Sequence, residues 1–200
     1  MTWLADYRVD VERRAAMTKT SALHAILANQ GLWALLQYRL ASAVYRSRMN
    51  TPAKTVLLKA LAVWRKLIEM FTGISIPHTA RIGPGMLFPH TGTITINGNA
   101  VIGRNCIVAH GVTIGSSGRG EKSGTPVIGD NVFIGTNAVV IGKIVVGDHA
   151  RVAPNSLVID NVAERTTVMG VPATVYARSE NTPSAPTTRD ANELDLPQTG

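Results

Sequence analysis

From Ile128 to Val158 the chain reads IGDNVF IGTNAV VIGKIV VGDHAR VAPNSL V, with an aliphatic residue at every sixth position. The heads are Ile128, Ile134, Val140, Val146, Val152 and Val158, and the same beat runs upstream through Ile76, Ile82, Phe88, Ile96, Ile102, Val108 and Ile114. That makes thirteen heads, broken by two longer intervals: eight residues from Phe88 to Ile96 and fourteen from Ile114 to Ile128. Glycine follows the head in six units, at Gly83, Gly103, Gly115, Gly129, Gly135 and Gly147. The fifth position is mostly small or β-branched: Ala80, Ala100, Cys106, Val112, Val132, Ala138, Ala150 and Ser156.

A helix cannot use this period, because successive heads would point about 240° apart. A repeat that short is a solenoid signature. Three short strands per 18-residue coil accommodate it. Each head points to the axis, the small fifth residue fits beside it, glycine permits the corner, and coils stack at strand spacing, ~4.8 Å. On this reading Cys106 is a small buried hydrophobe and not a nucleophile.

Outward from the repeat the chain changes character. Residues 1–73 contain one glycine before position 73 and one proline, and read as helices over roughly 5–17, 20–48 and 53–71. Asn50-Thr51-Pro52 marks the last break, with Thr51 expected as N-cap and Pro52 at the first helical position. The last of these helices keeps a wide apolar face for a sister subunit or a bilayer surface, the subunit being favoured. Residues 179–200 are polar and proline-rich and read as a disordered tail. The expected organisation is a helical region 1–73, a repeat domain 74–178 and the tail.

The formal charge of +7 is uneven: residues 1–73 hold eleven Lys/Arg against four Asp/Glu, the repeat region eight against five, the tail one against four. No nucleic-acid motif accompanies the basic helices, so a solvated face or an anionic membrane surface fits better. One cysteine allows no intrachain disulfide. No secretory h-region and no uncharged 18-residue apolar run is visible. A cytoplasmic location follows as an expectation, with contact at the inner face of the membrane through the N-terminal helices as an option.

The repeat assigns coordinates to the histidines. His90 is third in the unit headed by Phe88, and His110 is third in the unit headed by Val108, three units or one coil later. They should stack on one face beside a corner. Two readings stay open: corner imidazoles bonded to backbone carbonyls, or a general base with a helper. His24, His78 and His149 fall elsewhere and read as structural or solvated. The long interval, residues 115–127, forms a Gly-rich loop carrying Arg119 and Lys122. It either covers a site and offers cations to phosphates or is a surface excursion, and it does not match a P-loop.

IPHTARIGPGMLFPHTGTITINGNAVIGRN, the fourteen-residue interval before Val127-Ile128-Gly129, and Gly170-Val171-Pro172-Ala173 resemble the hexapeptide-repeat acyltransferases, above all the serine acetyltransferase family. The similarity spans about residues 70–178. It implies a left-handed parallel β-helix with an α-helical N-terminal region, assembled as a homotrimer or dimer of trimers. The handedness comes only from the resemblance, since parallel crossovers are otherwise right-handed. It also implies transfer of an acetyl group from acetyl-CoA, used as co-substrate, to a hydroxyl, with no metal. The family's catalytic histidine matches His90, with His110 and Ser75 as helpers. Gly-rich corners leave backbone N–H donors for the oxyanion. Gly115, Arg119, Lys122, Thr136 and Pro172 become coenzyme-binding candidates.

Three departures concern the acceptor. Serine-specific members carry Asp where this chain has Pro89, an Arg-His pair where it has Gly124 and Thr125, and an orienting Asp where it has Ser75. His110 stands where they have a polar neutral residue, and Gly200 where they often end in isoleucine. A zwitterionic acceptor needs charged partners. The resemblance therefore points first to the branch that acetylates a sugar hydroxyl in polysaccharide biosynthesis. L-serine O-acetylation in cysteine biosynthesis is the alternative, and a non-catalytic β-helix scaffold the rival outside enzymes. A metal site like that of hexapeptide carbonic anhydrases needs three histidines, of which His90 and His110 supply two.

Overall fold

The computed structural model describes residues 2–117 and 123–176. The expected tail, Arg119 and Lys122 lie outside them. Four helices come first: α1 (Trp3–Thr18), α2 (Ala22–Ala28), α3 (Gln30–Arg46) and α4 (Thr51–Thr72). The single helix expected over 20–48 is two. Asn29 is extended (φ −111°, ψ 104°) and its side chain accepts the Leu32 N–H at 3.0 Å, capping α3. The break sets α3 against the repeat: a Cβ on Gly31 would lie 2.9 Å from Phe88 Cβ. At α4 the capping position is Asn50, not Thr51, and no side chain bonds there; Pro52 sits in the first turn as expected.

The repeat region forms three parallel sheets. The first holds Ile74–Ser75, Ile94–Ile96, Thr113–Gly115, Val139–Ile141 and Leu157–Val158. The second holds Arg81–Ile82, Val101–Ile102, Val127–Ile128 and Val145–Val146. The third holds Ile107–Val108, Phe133–Ile134, Arg151–Val152 and Thr167–Gly170, and Leu87 bridges to Ile107. Ala173–Val175 folds back antiparallel on the last strand. The chain visits the three sheets in rotation. Heads meet heads: Ile82, Ile102, Ile128 and Val146 are in register, as are Ile96, Ile114, Val140 and Val158, and Val108, Ile134 and Val152. All thirteen heads are buried, and so are the eight small fifth residues, Cys106 among them.

The glycines work differently from the expectation. Left-handed backbone occurs at the fourth position of the unit, in Gly85 (φ 80°), Asn105 (56°), Gly111 (75°), Asn131 (58°), Asn137 (58°), His149 (60°) and Asn155 (56°). Asparagine tolerates that region, so it serves the corner as well as glycine does. Most second-position glycines instead permit close approach. A Cβ on Gly83 would lie 2.7 Å from Gly103 C, on Gly135 2.6 Å from Pro154 N, and on Gly147 2.5 Å from Glu164 N.

A buried charge cluster ties the helices to the first coil. Asp10 of α1 is fully buried and takes a bidentate pair from Arg39 of α3, at 3.0 and 3.1 Å. Its carboxylate also accepts the N–H groups of Gly85 (2.7 Å) and Met86 (2.9 Å). Arg39 donates on to the carbonyls of Ile82 (2.6 Å) and Gly83 (2.7 Å), and Arg13 reaches those of Gly85 and Cys106. Burial pushes the Asp10 carboxyl up, while Arg39 and the two N–H donors oppose it.

The outer face of α4 stays apolar and open: Val56, Val63, Met70 and Phe71 are each more than 60% exposed. Among the described residues no helix is long and apolar enough to cross a membrane.

Gly147→Ala is expected to destabilise the fold by about 1–3 kcal/mol, because backbone and not a flexible side chain blocks the methyl. Asp10→Ala should cost more, about 3–5 kcal/mol, by leaving Arg39 buried and unpaired. Urea midpoints of the two variants against the parent check both values and their order.

Candidate active site

Register decides which side chains share the corner between the third sheet and the first. Leu87 pairs with Ile107, Ile107 with Phe133, Phe133 with Arg151 and Arg151 with Thr167. Three residues past each, His90, His110, Thr136, Pro154 and Gly170 fall at equivalent places, one coil apart. The expected histidine stack is present: the rings of His90 and His110 are 6.0 Å apart, edge to face at 83°. His90 is exposed and its imidazole makes no hydrogen bond among the described residues. His110 is half-buried, and its Nδ1 is sealed from solvent without a hydrogen-bond partner. Its own carbonyl is occupied, accepting the Asn137 N–H at 3.0 Å.

The eight-residue interval after Phe88 shapes the site. Gly92 has φ 135°, and a Cβ there would come 3.2 Å from His110 Cβ. Only glycine lets this turn cross so near the second imidazole. Gly92 N–H donates to Thr72 O (3.1 Å) and Ile94 N–H to Gly73 O (2.9 Å), so the turn rests on the end of α4.

Ser75 ends the first strand, Ile74–Ser75, in register with Thr95. Burial alone would raise the Glu69 carboxyl, but Lys66, Ser75 and Arg65 together hold it below its ordinary value. Gly115 ends its strand and accepts the Gly142 N–H at 3.3 Å. Two residues on, Ser117 and Gly124 pair antiparallel at 3.3 and 3.4 Å, so the long loop leaves and returns beside Gly115. Arg119 and Lys122 of that loop are among the residues not described. Thr136 is half-buried one coil beyond His110, in its column. Pro172 follows a cis peptide bond in the exposed hairpin at the column's far end. Repeat arithmetic placed the two histidines together; extended by one coil, the same arithmetic finds Thr136.

Two of the positions expected to bear on acceptor choice are engaged by neighbouring coil residues. A Cβ on Gly124 would meet Lys143 Cβ at 2.9 Å. Thr125 is turned inward, donating from Oγ1 to Asn99 O at 3.0 Å.

The remaining histidines stand apart. His24 is exposed on α2, and His149 occupies a left-handed corner. His78 packs edge-on against Tyr45 at 5.0 Å, and burial, then Arg65, lowers its pKa. Among the described residues no three His, Cys, Asp or Glu side chains gather as a metal site.

Comparison with known proteins gives this arrangement a family. Residues 125–160 match the bacterial transferase hexapeptide (six repeats) model. A serine acetyltransferase of Synechococcus elongatus is 32% identical over 178 residues, covering 89% of this chain and 69% of that protein. Soybean serine acetyltransferase complexed with serine superposes with a TM-score of 0.76 at 30% identity, covering 88% of this chain and 70% of that one. A serine acetyltransferase in complex with CoA superposes with a TM-score of 0.74 at 25% identity, over 87% and 69%. With identity of that level along nearly nine-tenths of its length, the chain belongs to the serine acetyltransferase family of hexapeptide-repeat acyltransferases.

Proposed function

We propose that this chain is an acetyl-CoA-dependent O-acetyltransferase in which His90 is the general base and L-serine the acceptor. The observation that carries the reading is the exposed His90 imidazole stacked on His110 in one corner column, in a chain of this family. The relatives' names support serine over the polysaccharide acceptor that the departures at Pro89, Gly124 and Thr125 point to first. A sugar hydroxyl remains the second reading, on a specific observation: Gly124 is pressed against Lys143 and Thr125 is bonded to the coil, so neither offers a charge to an amino acid.

The chemistry asks two proton transfers of one side chain. His90 takes the proton from the acceptor hydroxyl as its oxygen bonds to the thioester carbonyl carbon. The C–S bond then breaks, and His90 returns the proton to the departing thiolate. His110 lies behind His90 and is the group that orients or assists it, in place of the aspartate absent at Ser75. The corner column from His110 through Thr136 to the hairpin of Pro172 is where the chain would hold the coenzyme arm, with Gly115, Arg119 and Lys122 assigned to the rest of the coenzyme.

The wider frame is part of the same reading: a helical region 1–73 followed by a left-handed parallel β-helix over 74–178. The assembly is a trimer or dimer of trimers, in the cytoplasm. The apolar face of α4 is assigned to a sister subunit, in preference to a membrane surface, since contiguous apolar patches on helices seek protein partners.

His90→Ala should lower kcat by ~10²–10⁴ with coenzyme affinity intact. An unchanged rate would remove His90 from the mechanism. Thiol release from acetyl-CoA, measured side by side with L-serine and with a panel of sugars and oligosaccharides, assigns the acceptor. Turnover with glycans alone would reverse the order of the two readings.

His110→Leu removes a buried nitrogen that has no partner, so the melting temperature should hold or rise. kcat should nonetheless fall at least about tenfold, ~1.4 kcal/mol of transition-state stabilisation. Full activity in that variant would leave His110 without a part.

A further inference from the structure

Away from the histidine column, a cavity of about 210 Å³ lies where α1 and α3 meet the first coil. It is walled by Trp3 and Asp6 from α1, Arg39, Ser42 and Arg46 from one face of α3, and Ile82 from the second sheet. Ser42 is 3% exposed, and its Oγ has no hydrogen-bond partner among the described residues. The ion pairs among those residues are Arg8–Glu12, Arg39–Asp10 and Lys66–Glu69, so neither Asp6 nor Arg46 is paired. Arg46 spends one N–H on Ala80 O at 2.8 Å and keeps the rest of its five donors. Arg39 is neutralised by Asp10 and has one Nη1 hydrogen left after bonding Asp10, Ile82 and Gly83.

We infer that this cavity binds a small zwitterion of the α-amino acid class, separate from the acetyl-transfer site. Its carboxylate meets Arg46 and its ammonium meets Asp6. The charges choose the class. With Arg39 and Asp10 cancelling, Asp6 and Arg46 leave the cavity neutral overall yet polarised. A lone anion would gain at Arg46 and lose at Asp6, and a lone cation the reverse. A ligand carrying both charges satisfies both walls. Trp3 and Ile82 supply the apolar wall for a short side chain. The volume lies below the ~300–1,000 Å³ of drug-sized sites, which suits a ligand of a few heavy atoms.

The test uses the full chain with glycine and L-alanine as probes, neither of which offers a side-chain hydroxyl for acetylation. Acetate and methylammonium serve as single-charge controls. By isothermal titration and thermal unfolding, both amino acids should bind. At saturation Tm should rise by about 3 °C or more, with no effect of either control. Asp6→Asn and Arg46→Gln should each weaken binding at least tenfold. Absence of binding by either amino acid overturns the inference. So does affinity undiminished in both charge variants, which would place the ligand elsewhere, and so does acetate matching glycine, which would mark a plain anion site. Because none of these readouts involves acetyl transfer, they stand or fall apart from the acceptor assignment.

Discussion

At the second position of five of the thirteen repeats, successive coils approach so closely that only a hydrogen fits. The 2.5–2.7 Å that separates an added Cβ at Gly83, Gly135 or Gly147 from the neighbouring backbone is the constraint on which the other features rest. It brings each strand within hydrogen-bonding reach of the strand one coil on, and that ladder satisfies the buried amides. Once the ladder is in register, every position of the unit acquires a column. Heads meet on the axis, left-handed residues meet at the corner, and third positions meet along the edge where His90 faces His110. A one-residue slip would turn the heads outward and separate the two imidazoles at once. The pairing of His90 with His110 and the packing at Val152 are thus consequences of a single stacking rule.

That rule was legible in the sequence because its signal repeats thirteen times. All thirteen predicted heads are buried, and the placement of Cys106 beside them follows from its fifth position. Legibility failed where a feature occurs once. Asn29 interrupts an otherwise helical pattern over 20–48, and nothing in local propensity distinguishes it. Its reason is tertiary: α3 must begin against Phe88. The corner was also misassigned. Glycine drew attention because it can take φ > 0, yet the corner is carried largely by Asn105, Asn131, Asn137 and Asn155, which tolerate the same region. The second-position glycines answer a demand for space, which a single sequence does not separate from a demand for conformation. The Asp10–Arg39 cluster was invisible for a related cause, since partners 29 residues apart meet only after the helices dock on Gly85 and Met86.

Of the site, the part that inherits the repeat was legible and the part built by loops was not. His90 over His110 needs only the period. Acceptor choice lies furthest from the repeat. The residues that bear on it, Pro89, Gly124 and Thr125, sit at turns whose neighbours are chosen by three-dimensional contact. For that reason the residue-level reading favours a sugar, while the whole-chain likeness to serine acetyltransferases favours serine.

Three buried polar atoms have no partner among the described residues: Tyr7 OH, Ser42 Oγ and His110 Nδ1. Folding gains nothing from such atoms, and each costs about 1–3 kcal/mol. Their surroundings differ. Tyr7 lines an apolar groove with Val11 and Ile26, and burial followed by Asp10 pushes its phenol up to about 12, so it stays a protonated donor. Ser42 belongs to the α3 wall of the cavity and His110 stacks on His90, each with its unpartnered atom sealed from solvent. In the latter two, the unmet hydrogen bond lies beside charged or titratable groups that form no ion pair among the described residues. An unmet bond in such polar surroundings differs from an isolated one, which is a packing compromise alone. On that criterion the histidine column and the helical cavity belong to one class of feature, and the Tyr7 groove to another.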